Sequence, residues 1–218
     1  MRKSGNSINF IDKAIVFDFD GVILDTDKYL YNAFANARNH YKLKKITKSQ
    51  FKREFERNPK YILQCERPLL KIPFLVRVAS ELRRDARSIK LTPGIEELIR
   101  DCFSDFVLFV CSRNLGFIIN RVLKSHGLET YFKTIFSTGF LYKKREILKN
   151  ISKQYSRSDV LFITDTPSDV REAKVIGIKT VAVGFGVALK EDIKKAKPDK
   201  IVKNTEELRQ YISEFKGT

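Results

Sequence analysis

A four-residue apolar run, Ala14-Ile15-Val16-Phe17, ends in Asp18-Phe19-Asp20-Gly21. A short continuous apolar run bounded by a turn is the pattern of a strand covered on both faces. Gly21, set in an acidic turn, marks where that strand gives way to a loop. Two carboxylates two residues apart on an extended backbone face the same side. The first strand therefore delivers a pair of acids to its own carboxyl end.

Beyond Thr92-Pro93-Gly94 the pattern repeats. Apolar runs at 106–111, 134–136, 160–163, 180–183 and 200–202 read as strands. Helical spacing predicts helices over 95–102, 114–126 (closed by Gly127), 143–155, 168–176 (closed by Gly177) and 205–215. Strands alternating with helices of this length imply a mainly parallel sheet with helices on both faces, a Rossmann-like, doubly wound α/β core. Residues from about 27 to 87 differ. Tyr29, Ala33 and Ala37, and Phe51 with Phe55, recur at helical spacing, and Pro59, Pro68 and Pro73 punctuate the stretch. The expected organisation is a core of 1–24 and 89–218, interrupted after the first strand by a helical insert, 25–88.

The 218 residues are 43% hydrophobic and 31% charged, enough to bury a core and unlike a disordered chain. Formal net charge is +16, and 25–88 holds 16 Lys/Arg against 7 Asp/Glu. A surface this basic suits anionic partners: phosphorylated metabolites, nucleic acid or acidic membrane. Three cysteines, Cys65, Cys102 and Cys111, have no paired spacing and point to a reducing, cytoplasmic setting rather than a disulfide framework. The longest apolar stretches are too short to span a bilayer, and 1–11 carries no signal-type apolar segment.

Open parallel sheets bind ligands at the carboxyl ends of their strands. The first strand delivers Asp18 and Asp20 there, the second Cys111-Ser112-Arg113-Asn114, and the fourth Thr164-Asp165-Thr166-Pro167-Ser168-Asp169. Lys143-Lys144 opens an intervening helix. Clustered carboxylates repel unless a cation sits among them. All-oxygen ligation suits a hard ion, Mg²⁺ above all, which takes a few carboxylates plus waters and phosphate. Asp18, Asp20 and Asp165 are the candidate metal residues.

These residues carry a resemblance. The run 16–26, Val-Phe-Asp-Phe-Asp-Gly-Val-Ile-Leu-Asp-Thr, resembles the first motif of the haloacid dehalogenase-like hydrolases, in the branch of phosphoglycolate phosphatase and β-phosphoglucomutase. Ser112 at the end of 108–111 is similar to the second motif. Lys143 or Lys144 fills the place of the third-motif lysine, and spacing to apolar Ile147 favours Lys144. Residues 164–169, with Ala173 and Gly177 beyond, resemble the fourth motif. There are departures: Thr164 stands where the family usually has Gly, and no Pro follows the Lys.

The resemblance implies that Asp18 is the nucleophile and becomes an aspartyl-phosphate. It implies that Asp20 protonates the leaving alcohol and then activates water. Mg²⁺ would be held by the Asp18 carboxylate, the Asp20 carbonyl and Asp165, with Asp169 nearby. Ser112 and the Lys would bind phosphoryl oxygens, with Arg113 and Asn114 adjacent as substrate contacts. The insert occupies the place of the family's α-helical cap, where Arg67 and Lys71, flanking Pro68, are candidate anion contacts. The implied function is a Mg²⁺-dependent phosphatase for a small phosphate monoester, acting as monomer or homodimer. A phosphomutase or pyrophosphatase of the same family is the nearest alternative. A basic nucleic-acid-binding or nucleic-acid-processing protein is the alternative of another class.

Overall fold

A computed structural model describes residues 11–57, 61–62, 64–84, 90–138, 143–186, 188 and 190–218. Pro59 and the expected boundary at 88/89 lie outside the described residues.

The sheet begins with β1 (Ala14–Phe17), β2 (Val107–Ser112) and β3 (Phe132–Ser137), and continues with β4 (Val160–Thr164), β5 (Lys179–Val183) and β6 (Lys200–Val202). All five pairings are parallel, and the spatial order is β3-β2-β1-β4-β5-β6. After β3 the chain returns to the other side of β1, so the winding direction reverses at β1. A crevice forms at such a reversal, beyond the carboxyl ends of the strands. Phe17 pairs with Val110 on one side and Ile163 on the other. One step further, the N–H of Asp18 still donates to the Ile163 carbonyl at 2.8 Å. Asp18, the end of β2 and the end of β4 therefore arrive at one level.

Both sheet faces are covered, which is why the strands read as unbroken apolar runs. Ile15 and Phe17 pack with α4 (Ile95–Cys102), α5 (Gly116–Ser125) and α9 (Thr205–Lys216). Ala14, Val16, Phe109 and Phe162 pack on the other face with Leu148 and Ile151 of α6 (Lys144–Gln154) and Ala173 of α7 (Pro167–Ile176), and Val170 of α7 packs with Ile193 of α8 (Lys190–Ala196). Local chemistry sets the helix ends. Thr166 caps α7 through the Asp169 N–H, Pro167 takes the first turn, and Gly177 closes it at φ +74°. Predicted and observed ends agree within a residue or two. The largest difference is α5, expected from 114 but starting at Gly116. There the Asn114 side chain accepts the Leu115 N–H at 2.7 Å and the Asn114 N–H donates to Ser112 Oγ at 2.9 Å, a turn that delays the helix.

The segment between β1 and α4 is helical: α1 (Thr26–His40), α2 (Lys48–Arg57) and α3 (Lys71–Arg84). Its core is its own, built on Phe34, Ala37, Leu43, Phe51, Ile62, Phe74 and Val78. Phe34 stacks obliquely on Phe51 at 5.0 Å and meets Phe74 edge-on at 5.9 Å. Pro68 opens a 3₁₀ turn, Pro68–Leu70. Pro73, expected to interrupt a helix, lies in the first turn of α3, where its missing N–H breaks no helical bond. The chain enters and leaves this segment side by side: Asp25 N–H donates to the Lys90 carbonyl at 3.0 Å and Thr92 N–H to Ile23 at 2.9 Å.

Candidate active site

The crevice gathers side chains from four segments. Asp18, directly after β1, is only 4% exposed. Its Oδ2 lies 2.6 Å from Lys144 Nζ and accepts the Thr164 hydroxyl at 3.2 Å, while Oδ1 accepts the Phe19 N–H at 2.8 Å. Lys144 is buried and reaches Asp169 Oδ2 at 2.7 Å as well. The remaining Asp169 oxygen, Oδ1, accepts from Arg113 Nη2 at 2.7 Å. Asp20, half-buried beside Asp18, accepts from Asn114 Nδ2 at 3.1 and 3.2 Å and from Ser112 Oγ at 3.4 Å.

Sequence spacing assembles this set only in part. The choice between the paired lysines falls on Lys144, the first residue of α6. Lys143 is the residue before the helix and is exposed. Arg113, Asn114 and Asp169 sit in the cluster as expected but turn to protein partners: Arg113 to Asp169, Asn114 to Asp20. Asp169 was expected among the metal residues, yet both of its oxygens are engaged by side-chain cations. Arg67 and Lys71 are exposed, at the 3₁₀ turn and the start of α3. The insert instead reaches the core loops through Lys52, whose Nζ donates to the Gly186 carbonyl at 3.2 Å. Lys52 carries no sequence signal, because one Lys on a basic helix looks like the next. Thr164, a departure from the family pattern, donates its hydroxyl to Asp18 Oδ2. A hydroxyl where Gly is usual was the available clue.

Burial sets the electrostatics. Asp18 is raised to about 7, chiefly by desolvation, with Lys144 opposing and Asp169 adding to the rise. For Asp169 burial pulls upward too, but Lys144 and Arg113 outweigh it and hold the group down to about 2. Lys144 loses solvation on burial, yet Asp169 and Asp18 keep it protonated beyond the ordinary lysine range. Asp20 is raised by burial, against its hydrogen bonds from Asn114 and Ser112 and the Lys144 charge. The site thus holds one carboxyl firmly ionised (Asp169) and two whose protons come off less readily (Asp18, Asp20).

Asp165 occupies a cradle of two glycines. A Cβ on Gly21 would lie 2.0 Å from Asp165 Oδ2, and one on Gly186 would lie 2.6 Å from the same oxygen. Gly21 also has φ +75°, a conformation costly for any other residue. The cradle sets Asp165 Oδ2 directly against the Gly21 backbone. Among the described residues no three His, Cys, Asp or Glu side chains form a metal-holding group. Two carboxylates with a neighbouring carbonyl are an all-oxygen set, which fits a hard cation that keeps several waters and does not fit zinc or copper.

A family model for haloacid dehalogenase-like hydrolases matches residues 15–183. The chain belongs to that family. This haloacid dehalogenase-like hydrolase is 24% identical over 209 residues to a phosphoglycolate phosphatase of Synechococcus elongatus, covering 93% of this chain and 98% of that one. A second curated relative, from Caldanaerobacter subterraneus subsp. tengcongensis, is provisionally named a pyrophosphatase; it is 24% identical over 211 residues, 94% of each chain. A solved haloacid dehalogenase-like hydrolase from Streptococcus pneumoniae superposes with a TM-score of 0.80 at 18% identity, over 92% of this chain and 98% of that one. That likeness bears on the fold, and the doubly wound sheet agrees with it.

Proposed function

We propose that this hydrolase is a Mg²⁺-dependent phosphatase acting on a small phosphate monoester through a phosphorylated Asp18. The supporting observation is the position of Lys144: one buried ammonium bridges Asp18 and Asp169 at 2.6 and 2.7 Å. A nucleophilic carboxylate flanked by a fixed cation is what attack on an anionic phosphoryl group requires.

In this reading Asp18 Oδ attacks phosphorus, the phosphorus–oxygen bond to the alcohol breaks, and Asp20 gives its proton to the departing alkoxide. Burial keeps Asp20 protonated further up the pH scale than a free carboxyl, as a general acid needs. Asp20 then takes a proton from the water that releases phosphate, restoring both carboxyls. Asn114 orients Asp20 through its amide, and Lys144 and Ser112 offset charge on the transferring oxygens. Mg²⁺, held by the Asp18 and Asp165 carboxylates and the Asp20 carbonyl, would supply neutralisation of phosphate charge when bound. The insert acts as a cap that excludes water and limits the substrate to a small, diffusible ester. The names of the Synechococcus and Caldanaerobacter relatives favour phosphoglycolate, with pyrophosphate as the second candidate.

A panel of small phosphate esters and pyrophosphate, run with Mg²⁺ and with chelator, tests this. The expected result is Mg²⁺-dependent release of phosphate in proportion to substrate consumed. An isomeric ester formed instead would assign a mutase. No turnover of any substrate with Mg²⁺ would overturn the reading.

A further inference from the structure

We propose that Arg113 and Glu172 are positioning residues: together they clamp the segments bearing Ser112, Lys144 and Asp169, and so hold the Lys144 ammonium on Asp18. The inference rests on the hydrolytic reading above, in which that ammonium serves the nucleophile.

Lys144 reaches its two carboxylates through a long side chain whose ordering costs entropy. Its charge is divided between Asp18 and Asp169, and only the share on Asp18 serves the reaction. Arg113 governs that division. Its guanidinium takes Asp169 Oδ1 at 2.7 Å, leaving Lys144 to contact only Oδ2. Without Arg113, the strongly anionic Asp169 would compete for Lys144 with both oxygens and draw it from Asp18.

Glu172 anchors the arrangement. It lies three residues after Asp169, on the same side of α7. One oxygen faces Arg113 Nη2 at 3.6 Å. The other accepts the Arg145 N–H at 3.0 Å. That N–H belongs to the first turn of α6, where backbone donors have no partner within the helix, and Arg145 follows Lys144 directly. Glu172 therefore pins the start of α6 to α7, and Arg113 ties both to the residue after Ser112. The Arg113 side chain is 26% exposed and that of Glu172 22%, at the outer edge of a cluster whose inner members are sealed. Arg113 is spoken for by two carboxylates, which separates it from an arginine kept for substrate.

Full-length Glu172→Gln, Arg113→Gln, Arg113→Lys and the Gln/Gln double variant decide the matter. Each is assayed on p-nitrophenyl phosphate with Mg²⁺, melted, and the two single Gln variants are crystallised. Each Gln variant is expected to lower kcat about tenfold with KM within about twofold, the mark of an interaction realised in the transition state. The double variant should fall no more than about twofold below the worse single, because both act through one network. Arg113→Lys should recover part of the loss, and the Lys144–Asp18 contact should lengthen past hydrogen-bonding range in both crystals. A raised KM with unchanged kcat would make Arg113 a substrate contact and overturn the proposal. So would a lower Tm with unchanged kcat, or crystals with Lys144 still on Asp18. If the wild type itself turns over no ester, the hydrolytic reading falls, and the crystallographic distances still judge the clamp.

Discussion

Lys144 carries the charge balance of the crevice. Replacing it with Met removes the cation that two buried carboxylates share, and breaking such a pair from one side costs about 3–5 kcal/mol. Lys144→Met should therefore melt earlier and lose at least about a hundredfold in kcat, checked by calorimetry and a phosphate-release assay. Lys143→Met, exposed just outside the helix, should change neither. The pair was indistinguishable by composition. Spacing to Ile147 pointed to Lys144, and its burial makes the difference physical. At Gly21 an Ala meets Asp165 at 2.0 Å and a left-handed backbone. Gly21→Ala should lose Mg²⁺-dependent turnover and bind Mg²⁺ more weakly by titration calorimetry. Asp18, Asp20, Ser112 and Asp165 were legible in the sequence because each ends or follows a strand in a motif, whereas Lys144 opens α6 and Asp169 lies in α7. Their partners were not: nothing in the order of residues says that Arg113 meets Asp169, or that Thr164 meets Asp18.

Helices and strands were largely readable because each carries its own punctuation. In α9, Asn204 accepts the Glu207 N–H at 2.8 Å. Asn204→Ala should lower stability by about 1 kcal/mol, seen as a lower denaturant midpoint with unchanged slope, and should leave kcat within about twofold. Where side-chain turns replace helix, as at Asn114, periodicity overshoots by two residues. The insert was harder. Its Phe and Tyr, interleaved with Lys and Arg, could have been a platform for stacking bases. Phe34, Phe51 and Phe74 instead form its buried core, and only their helical spacing hinted at that. Which cation faces the crevice depends on how the insert docks, so Arg67 and Lys71 were plausible on charge alone, while Lys52 makes the contact with Gly186.

Across the whole molecule, strand order was the least legible feature. Alternation implies a parallel sheet but leaves open that β4 returns beside β1, and that return brings Asp165 and Asp169 to Asp18. The cysteines give a global check. Cys102 and Cys111 are buried, and burial pushes both thiols up to about 12, whereas Cys65 is half-exposed. A water-soluble thiol reagent at pH 8 should modify Cys65 alone until denaturant opens the fold, as mass spectrometry of the labelled protein would show. Among the described residues no helix is long and apolar enough to cross a membrane.

Acid-quenching the wild type and Asp18→Asn during turnover of a ³²P-labelled ester with Mg²⁺, then mapping the label by peptide mass spectrometry, addresses the nucleophile directly. The label should sit on Asp18 in the wild type. The variant should melt as a folded protein, carry no label and lose at least about a thousandfold in rate. Label on another residue, or an Asp18→Asn variant turning over at the wild-type rate, would contradict the assignment.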